Sequence, residues 1–93
     1  MKIRIYENGV IREEFTEEGL VYSVRCGELN VINIGDGHFS PCTTREFSVG
    51  GETVRLKITV SPDLTGVMKI IKRFCGMKLI TVEKGNAKVE IEA

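Results

Sequence analysis

Residues 53–76 read TVRLKITVSPDLTGVMKIIKRFCG, and this stretch indicates an α+β fold because it joins a strand pattern to a helix pattern. Every second residue from Val54 to Val60 is apolar, and the residues between them are polar or charged. Such alternation is typical of a β-strand with one buried and one hydrated face. The chain therefore enters the helix pattern directly from a half-buried strand.

The helix pattern begins at Ser61, Pro62 and Asp63. Serine suits the N-cap, proline suits the first helical position, and an acid is favourable near the positive end of the helix dipole. Six apolar residues then follow at helical spacing: Leu64, Val67, Met68, Ile71, Phe74 and Cys75. They predict an amphipathic helix over about residues 62–75 that covers one face of a sheet and ends at Gly76.

Period-two alternation recurs outside this stretch, most clearly in residues 2–6, 20–26 and 87–93. The pair Asn8-Gly9 is a hairpin signal, since both residue types tolerate positive φ. We expect an α+β fold with one antiparallel or mixed β-sheet of seven or eight strands and the one helix on its apolar face. Because the strand pattern of residues 77–83 follows the helix at once, a β-α-β unit is an open alternative.

Length and composition limit the class of protein. A chain of 93 residues is expected to form a single domain, residues 1–93. Thirteen basic and thirteen acidic residues balance, which argues against a generic polyanion binder. No apolar run approaches the roughly 20 residues that cross a bilayer, and no signal-peptide pattern opens the chain, so we expect a cytoplasmic protein without a membrane partner. The absence of glutamine and tryptophan favours a thermophilic origin.

Residues 34–44, IGDGHFSPCTT, place Asp36, the single histidine His38 and Cys42 close together. A thiol enzyme that uses Cys42 and His38 is one hypothesis, and a metal site with the same two ligands is another. Triad members and zinc half-sites normally come from separate parts of a chain, and this chain has no second half-site pair. The glycines and proline favour a structural turn-rich loop instead.

The three cysteines carry a further hypothesis. The strand and helix patterns predict that Cys26 and Cys75 are internal and that Cys42 is accessible. They are either free thiols or form one internal disulfide, Cys26–Cys75, with Cys42 pairing to Cys42 of a second chain. An internal disulfide that joins Cys26 to Cys75 would contribute roughly 4 kcal/mol to the stability of the fold in the chain-entropy model.

No phosphate-binding, dinucleotide-binding or metalloprotease motif occurs, so no cofactor is expected. The favoured function is a non-catalytic binding or assembly module that forms a homodimer. The alternative from a different class is a nucleic-acid-associated protein that uses the basic helix residues Lys69, Lys72 and Arg73.

Overall fold

A computed structural model describes residues 1–33 and 39–93 of the chain. The eight strands in these residues are β1 Lys2–Glu7, β2 Val10–Thr16, β3 Leu20–Cys26, β4 Leu29–Asn33, β5 Cys42–Val49, β6 Glu52–Thr59, β7 Lys78–Lys84 and β8 Ala87–Glu92. A single 3₁₀ turn, Pro62–Leu64, leads into the helix α1, Thr65–Lys72. The prediction of a mostly antiparallel β protein with one helix is confirmed.

The strands form two four-stranded sheets rather than one. Sheet A has the order β2-β1-β8-β7, and sheet B has the order β4-β3-β6-β5. Each sheet consists of two hairpins laid side by side, and every ladder in the described residues is antiparallel. The chain starts in sheet A, builds the two central hairpins in sheet B, and returns to sheet A through α1.

The core lies between the inner faces of the two sheets. Sheet A contributes Ile3, Ile5, Val82, Ala87, Val89 and Ile91, and sheet B contributes Val21, Val24, Cys26, Val49, Val54, Leu56 and Ile58. These are the alternate residues that the period-two pattern assigns to one side of each strand. Each sheet therefore supplies the apolar cover that the other needs.

The predicted packing of the helix on the sheet is wrong for this reason. No residue of α1 is buried, and in the 3₁₀ turn only Leu64 is. In the described residues, the inner faces of the two sheets pack on one another, so neither offers a free apolar surface to the helix. The helix is also shorter than residues 62–75, since its α-helical part ends at Lys72.

The β-α-β alternative is wrong as well. Strand β6 belongs to sheet B and β7 to sheet A, so α1 links two sheets instead of two parallel strands of one sheet. The helix crosses the end of the sandwich, where it is free to expose part of its surface.

The first hairpin turn has the backbone conformation that Asn8-Gly9 predicts. Asn8 has φ 53° and Gly9 has φ 78°, the left-handed pair that a two-residue hairpin loop requires.

The ladder between β3 and β6 has an irregularity between Val21 and Ser23, which leaves Tyr22 without a partner on β6. This bulge turns Tyr22 toward the start of β5.

Candidate functional site

The helix begins where the sequence predicted. The amide of Asp63 donates to Ser61 Oγ at 3.4 Å, and Pro62 occupies the first helical position. The cap residue Arg73 follows the last helical residue, and Gly76 has φ 83°, a left-handed conformation that ends the segment.

One side of this helix faces the body of the protein. Leu64 is buried, and Met68 and Ile71 are half-buried at helical spacing from it. Met68 and Ile71 also line an open cleft of about 500 Å³ beside the N-terminal residue Met1 and Val60. In the described residues, this is the side of α1 that lies against the two sheets.

The other apolar side has no cover in the described part of the chain. Val67 is 37% exposed, Ile70 is 58% exposed and Phe74 is 46% exposed. Val67 and Ile70 lie on α1, and Phe74 lies in the turn that follows it; their spacing of three and four residues aligns the three along one side of this segment. We call these three residues the apolar stripe. Exposed apolar residues are ordinary when scattered, whereas large contiguous apolar patches are typical of interaction surfaces.

A glycine lies at the edge of the apolar stripe. Gly66 is four residues before Ile70, so the two share one side of the helix, and a Cβ built on Gly66 would meet no atom within 4 Å. Glycine within a helix is up to about 1 kcal/mol less favourable than alanine. Nothing inside the described chain requires the small residue here, whereas the close approach of a second backbone would.

The charged residues of the helical segment form a dipolar pattern. Asp63 lies at its start, and Lys69, Lys72 and Arg73 lie at its end, all of them exposed. Within residues 1–33 and 39–93, none of the four has an ion-pair partner. Their side chains are available for a charge on another molecule.

The thiol of Cys42 lies elsewhere, at the exposed start of β5. A hydrogen bond of 2.7 Å joins the hydroxyl of Tyr22 to Cys42 Sγ, and the ring of Tyr22 packs edge-on against Phe39. Burial, and after it the hydrogen bond with Cys42, raise the pKa of Tyr22 to about 12. The neutral phenol is therefore maintained far above neutral pH.

The other members of the predicted loop site, Asp36 and His38, lie outside the described residues. The thiol-enzyme pair Cys42–His38 and the metal half-site of the same residues stay predictions. Among residues 1–33 and 39–93, no group of three potential metal ligands comes together.

The cysteines match their predicted positions only in part. Cys26 is buried in the core and Cys42 is exposed, as predicted, but Cys75 is exposed rather than internal. Cys75 follows the end of α1, beyond the part of the helix that faces the body. All three thiols are free in the structure, and the predicted Cys26–Cys75 disulfide is not formed. A Cys42 pair between two copies stays a prediction.

Sequence reasoning missed the apolar stripe, although a signal for it was present. Ile70 stands outside the six-residue pattern, and its inclusion makes the apolar arc wider than one packed face. A helix with too wide an apolar arc has more apolar surface than one neighbouring face covers.

The comparisons with known proteins add no family. No family model, curated protein or solved structure matches this chain. In the described ranges, no helix has both the length and the apolar character needed to span a membrane.

Proposed function

We propose that this protein is a non-catalytic assembly module that forms a homodimer by pairing α1 with α1 of a second copy. The observation that carries the proposal is the apolar stripe of Val67, Ile70 and Phe74, which is exposed along α1 and the turn that follows it. Burial of such side chains contributes about 1.5–3 kcal/mol each when it is complete.

Charge complementarity favours a second copy as the occupant. The helical segment is acidic at its start and basic at its end, so an antiparallel pair places Asp63 of each copy near the basic end of the other. A register that sets Asp63 of one copy opposite Arg73 of the other also sets Gly66 opposite Ile70. The glycine would then admit the isoleucine side chain of the second copy, which supplies a reason for its presence.

The size of the contact sets the expected affinity. An α-helix of eight residues with its flanking turns spans about 15–20 Å, and a contact of this size is smaller than a standard stable interface. We therefore expect a dimer that dissociates on dilution in the micromolar range.

Sedimentation velocity over a range of protein concentrations tests the dimer. The wild type should shift from monomer to dimer as concentration rises. Ile70→Ser and Phe74→Ser should remain monomeric at concentrations where the wild type is dimeric. The control is Val10→Ser, which removes an even more exposed apolar side chain from β2 and should leave the dimer unchanged. A wild type that is monomeric at every concentration would refute the proposal.

A charge exchange tests the antiparallel register. Asp63→Arg and Arg73→Asp should each weaken the dimer by about tenfold or more, because each sets like charges opposite one another. The chain that carries both substitutions should regain the wild-type affinity, since both opposite-charge pairs are restored. A double variant as weak as the single variants would exclude this register.

Gly66→Ala separates helix stability from association. If Gly66 admits a second helix, alanine should weaken the dimer while it raises the stability of the monomer by up to about 1 kcal/mol. Stabilisation of both species by alanine would show that no backbone approaches Gly66.

A further inference from the structure

We infer that the outer face of sheet B binds the phosphate backbone of a single-stranded nucleic acid, through Arg25, Arg55 and Lys57. This surface is separate from the apolar stripe of α1, and the inference is independent of the proposed dimer. It also differs from the predicted nucleic-acid site on the helix, which uses Lys69 and the two basic residues that follow it.

The alternation of two central strands places these cations on one face. Val24 and Cys26 of β3 are buried in the core, so Arg25 between them points outward. In β6, Leu56 is buried between Arg55 and Lys57, which therefore share the same outer side. Neighbouring residues of a strand point to opposite faces, so only a shift of the strand register by one residue would turn these cations toward the core.

The register of the sheet brings two arginines together. Arg25 lies directly opposite Arg55 in the antiparallel ladder of β3 and β6. Like charges at directly opposite positions destabilise a sheet. Glu46 of β5 compensates one of them, with 3.2 Å between its Oε2 and Nε of Arg55. Arg25 is exposed and has no ion-pair partner within residues 1–33 and 39–93.

The neighbours of these cations are hydrogen-bonding groups. Arg25 stands opposite Asn30 of β4, and Lys57 stands between Ser23 of β3 and Thr44 of β5. Arginine, lysine, hydroxyl and amide groups are the ones that proteins use to contact phosphate oxygens. Arginine in particular matches phosphate with two parallel hydrogen bonds.

The spread of the charges favours a polymeric anion. Residues two apart on a strand, such as Arg55 and Lys57, are separated by roughly 7 Å, and adjacent strands lie about 4.8 Å apart. Successive phosphates of one extended nucleic-acid chain could each contact a different cation, whereas one free phosphate is too small to contact all of them. The short side chains of Ser23 and Thr44 beside Lys57 leave the face open to such a strand.

Fluorescence anisotropy of the full chain with a labelled single-stranded thymidine oligomer tests the inference. At low salt we expect a dissociation constant on the order of 10 µM, and a plot of log affinity against log salt with a slope of about −2 for three neutralised phosphates. Absence of binding at low salt would refute the inference.

Variants with equal loss of charge locate the site. Arg25→Gln combined with Lys57→Gln should weaken binding about tenfold and reduce the slope to about −0.7. Lys2→Gln with Lys88→Gln, on the outer face of sheet A, is the matched control and should change binding less than about twofold. Equal losses in the two double variants would overturn the inference, because net charge alone would then govern binding.

Two further measurements test whether the anion binds at α1 instead and whether the surface prefers nucleic acid to another polyanion. Lys69→Gln with Lys72→Gln should leave binding intact, and a loss in this variant would move the site to α1. A sulfated polysaccharide that competes as well as the thymidine oligomer at equal anion concentration would overturn the assignment to nucleic acid. Because none of the sheet B variants touches the apolar stripe, each should keep the concentration dependence of the wild-type dimer.

Discussion

The strands of both sheets alternate between inward apolar and outward polar residues, but the two outer faces arrange their charges differently. On sheet A, Arg4 donates to Glu14 at 2.9 Å and to Glu92 at 2.7 Å, and Lys78 lies 2.7 Å from Glu90. On sheet B, the corresponding ladder sets Arg25 against Arg55. The first face neutralises its charges internally, whereas the second keeps a surplus of cations. The order of partners across a sheet, rather than composition, therefore decides which face keeps unpaired charge.

Glu90 shows how far the neutralisation on sheet A extends. It stands on the outer side of β8, yet it is only 3% exposed. Lys78 covers it, and the phenol of Tyr6 also stabilises the charged form. Nζ of Lys78 lies 2.7 Å from Oε2 of Glu90 but is not aligned for a hydrogen bond, so the contact is chiefly ionic. Lys78, and after it Tyr6, lower the pKa of Glu90 to about 2.

The largest expected effect is a loss of stability on substitution at the inner faces. Because the two sheets share one core, the loss should be similar in both. Leu56→Ala in sheet B and Ile91→Ala in sheet A both remove a side chain that is at most 1% exposed. Each should lower the free energy of unfolding by about 2–5 kcal/mol, because a cavity is left in the shared core. Urea denaturation measures the effect.

The control for these core variants is Val10→Ala, an exposed position that should change stability by no more than about 0.5 kcal/mol. A large cost at Leu56 with a small cost at Ile91 would contradict a core that both sheets share.

The next largest effect should come from the outer face of sheet A. Glu90→Gln keeps the shape of the side chain but removes its charge, so the contacts with Lys78 and Tyr6 are weakened. We expect a loss of about 1–2 kcal/mol, since Lys78 itself is largely hydrated. Thermal unfolding of this variant beside Glu83→Gln, an exposed carboxylate on β7, would show whether burial is the cause. Equal small losses in both variants would contradict the structural role of Glu90.

The same carboxylate should make stability depend on pH in the acid range. Its pKa is about 2 in the folded protein and near the ordinary 4.5 in the unfolded chain, so the unfolded chain takes up the proton first. The contribution of Glu90 is therefore complete above about pH 4.5 and is lost as the pH falls toward 2. The difference in stability between wild type and Glu90→Gln should shrink over this interval. A constant difference between about pH 6 and about pH 2.5 would show that the charge of Glu90 contributes nothing.

The smallest effect should have the opposite sign and arise on sheet B. Arg25→Thr removes one of two like charges that face each other and introduces a residue with a high strand propensity. We expect a gain of about 0.2–1 kcal/mol at low salt, and less at high salt. Arg4→Thr on sheet A is the matched substitution and should lose stability, because Glu14 and Glu92 lose their partner. A loss in both variants would remove the distinction between the two faces.

Much of the secondary structure could be predicted from local pattern. The alternation around Leu56 and Val89 identified strands, Asn8-Gly9 identified a hairpin, and Ser61-Pro62 identified the start of a helix. These signals depend on residues within a few positions of one another. For the same reason they did not distinguish one sheet of eight strands from two sheets of four, because both arrangements need one apolar side on every strand.

The candidate surfaces were less predictable. The helical spacing of Val67 and Phe74 assigned them to a buried face, and the structure exposes them because the sheets cover each other first. The alternation in residues 54–60 predicts that Arg55 points outward, but its position opposite Arg25 depends on a register between strands that are distant in sequence. The hydrogen bond between Tyr22 and Cys42 depends on a bulge that no local pattern indicated.

The strands, the tight turn at Asn8-Gly9 and the first turn of the helix follow from the amino-acid sequence alone. Backbone preference and apolar period act over a few residues and need no distant partner. The division into two sheets arises in the tertiary structure, as do the burial of Glu90, the exposure of the apolar stripe and the pairing of Arg25 with Arg55. Each of these depends on which strands pair and in which register, a choice that the whole chain makes when its apolar faces are buried together.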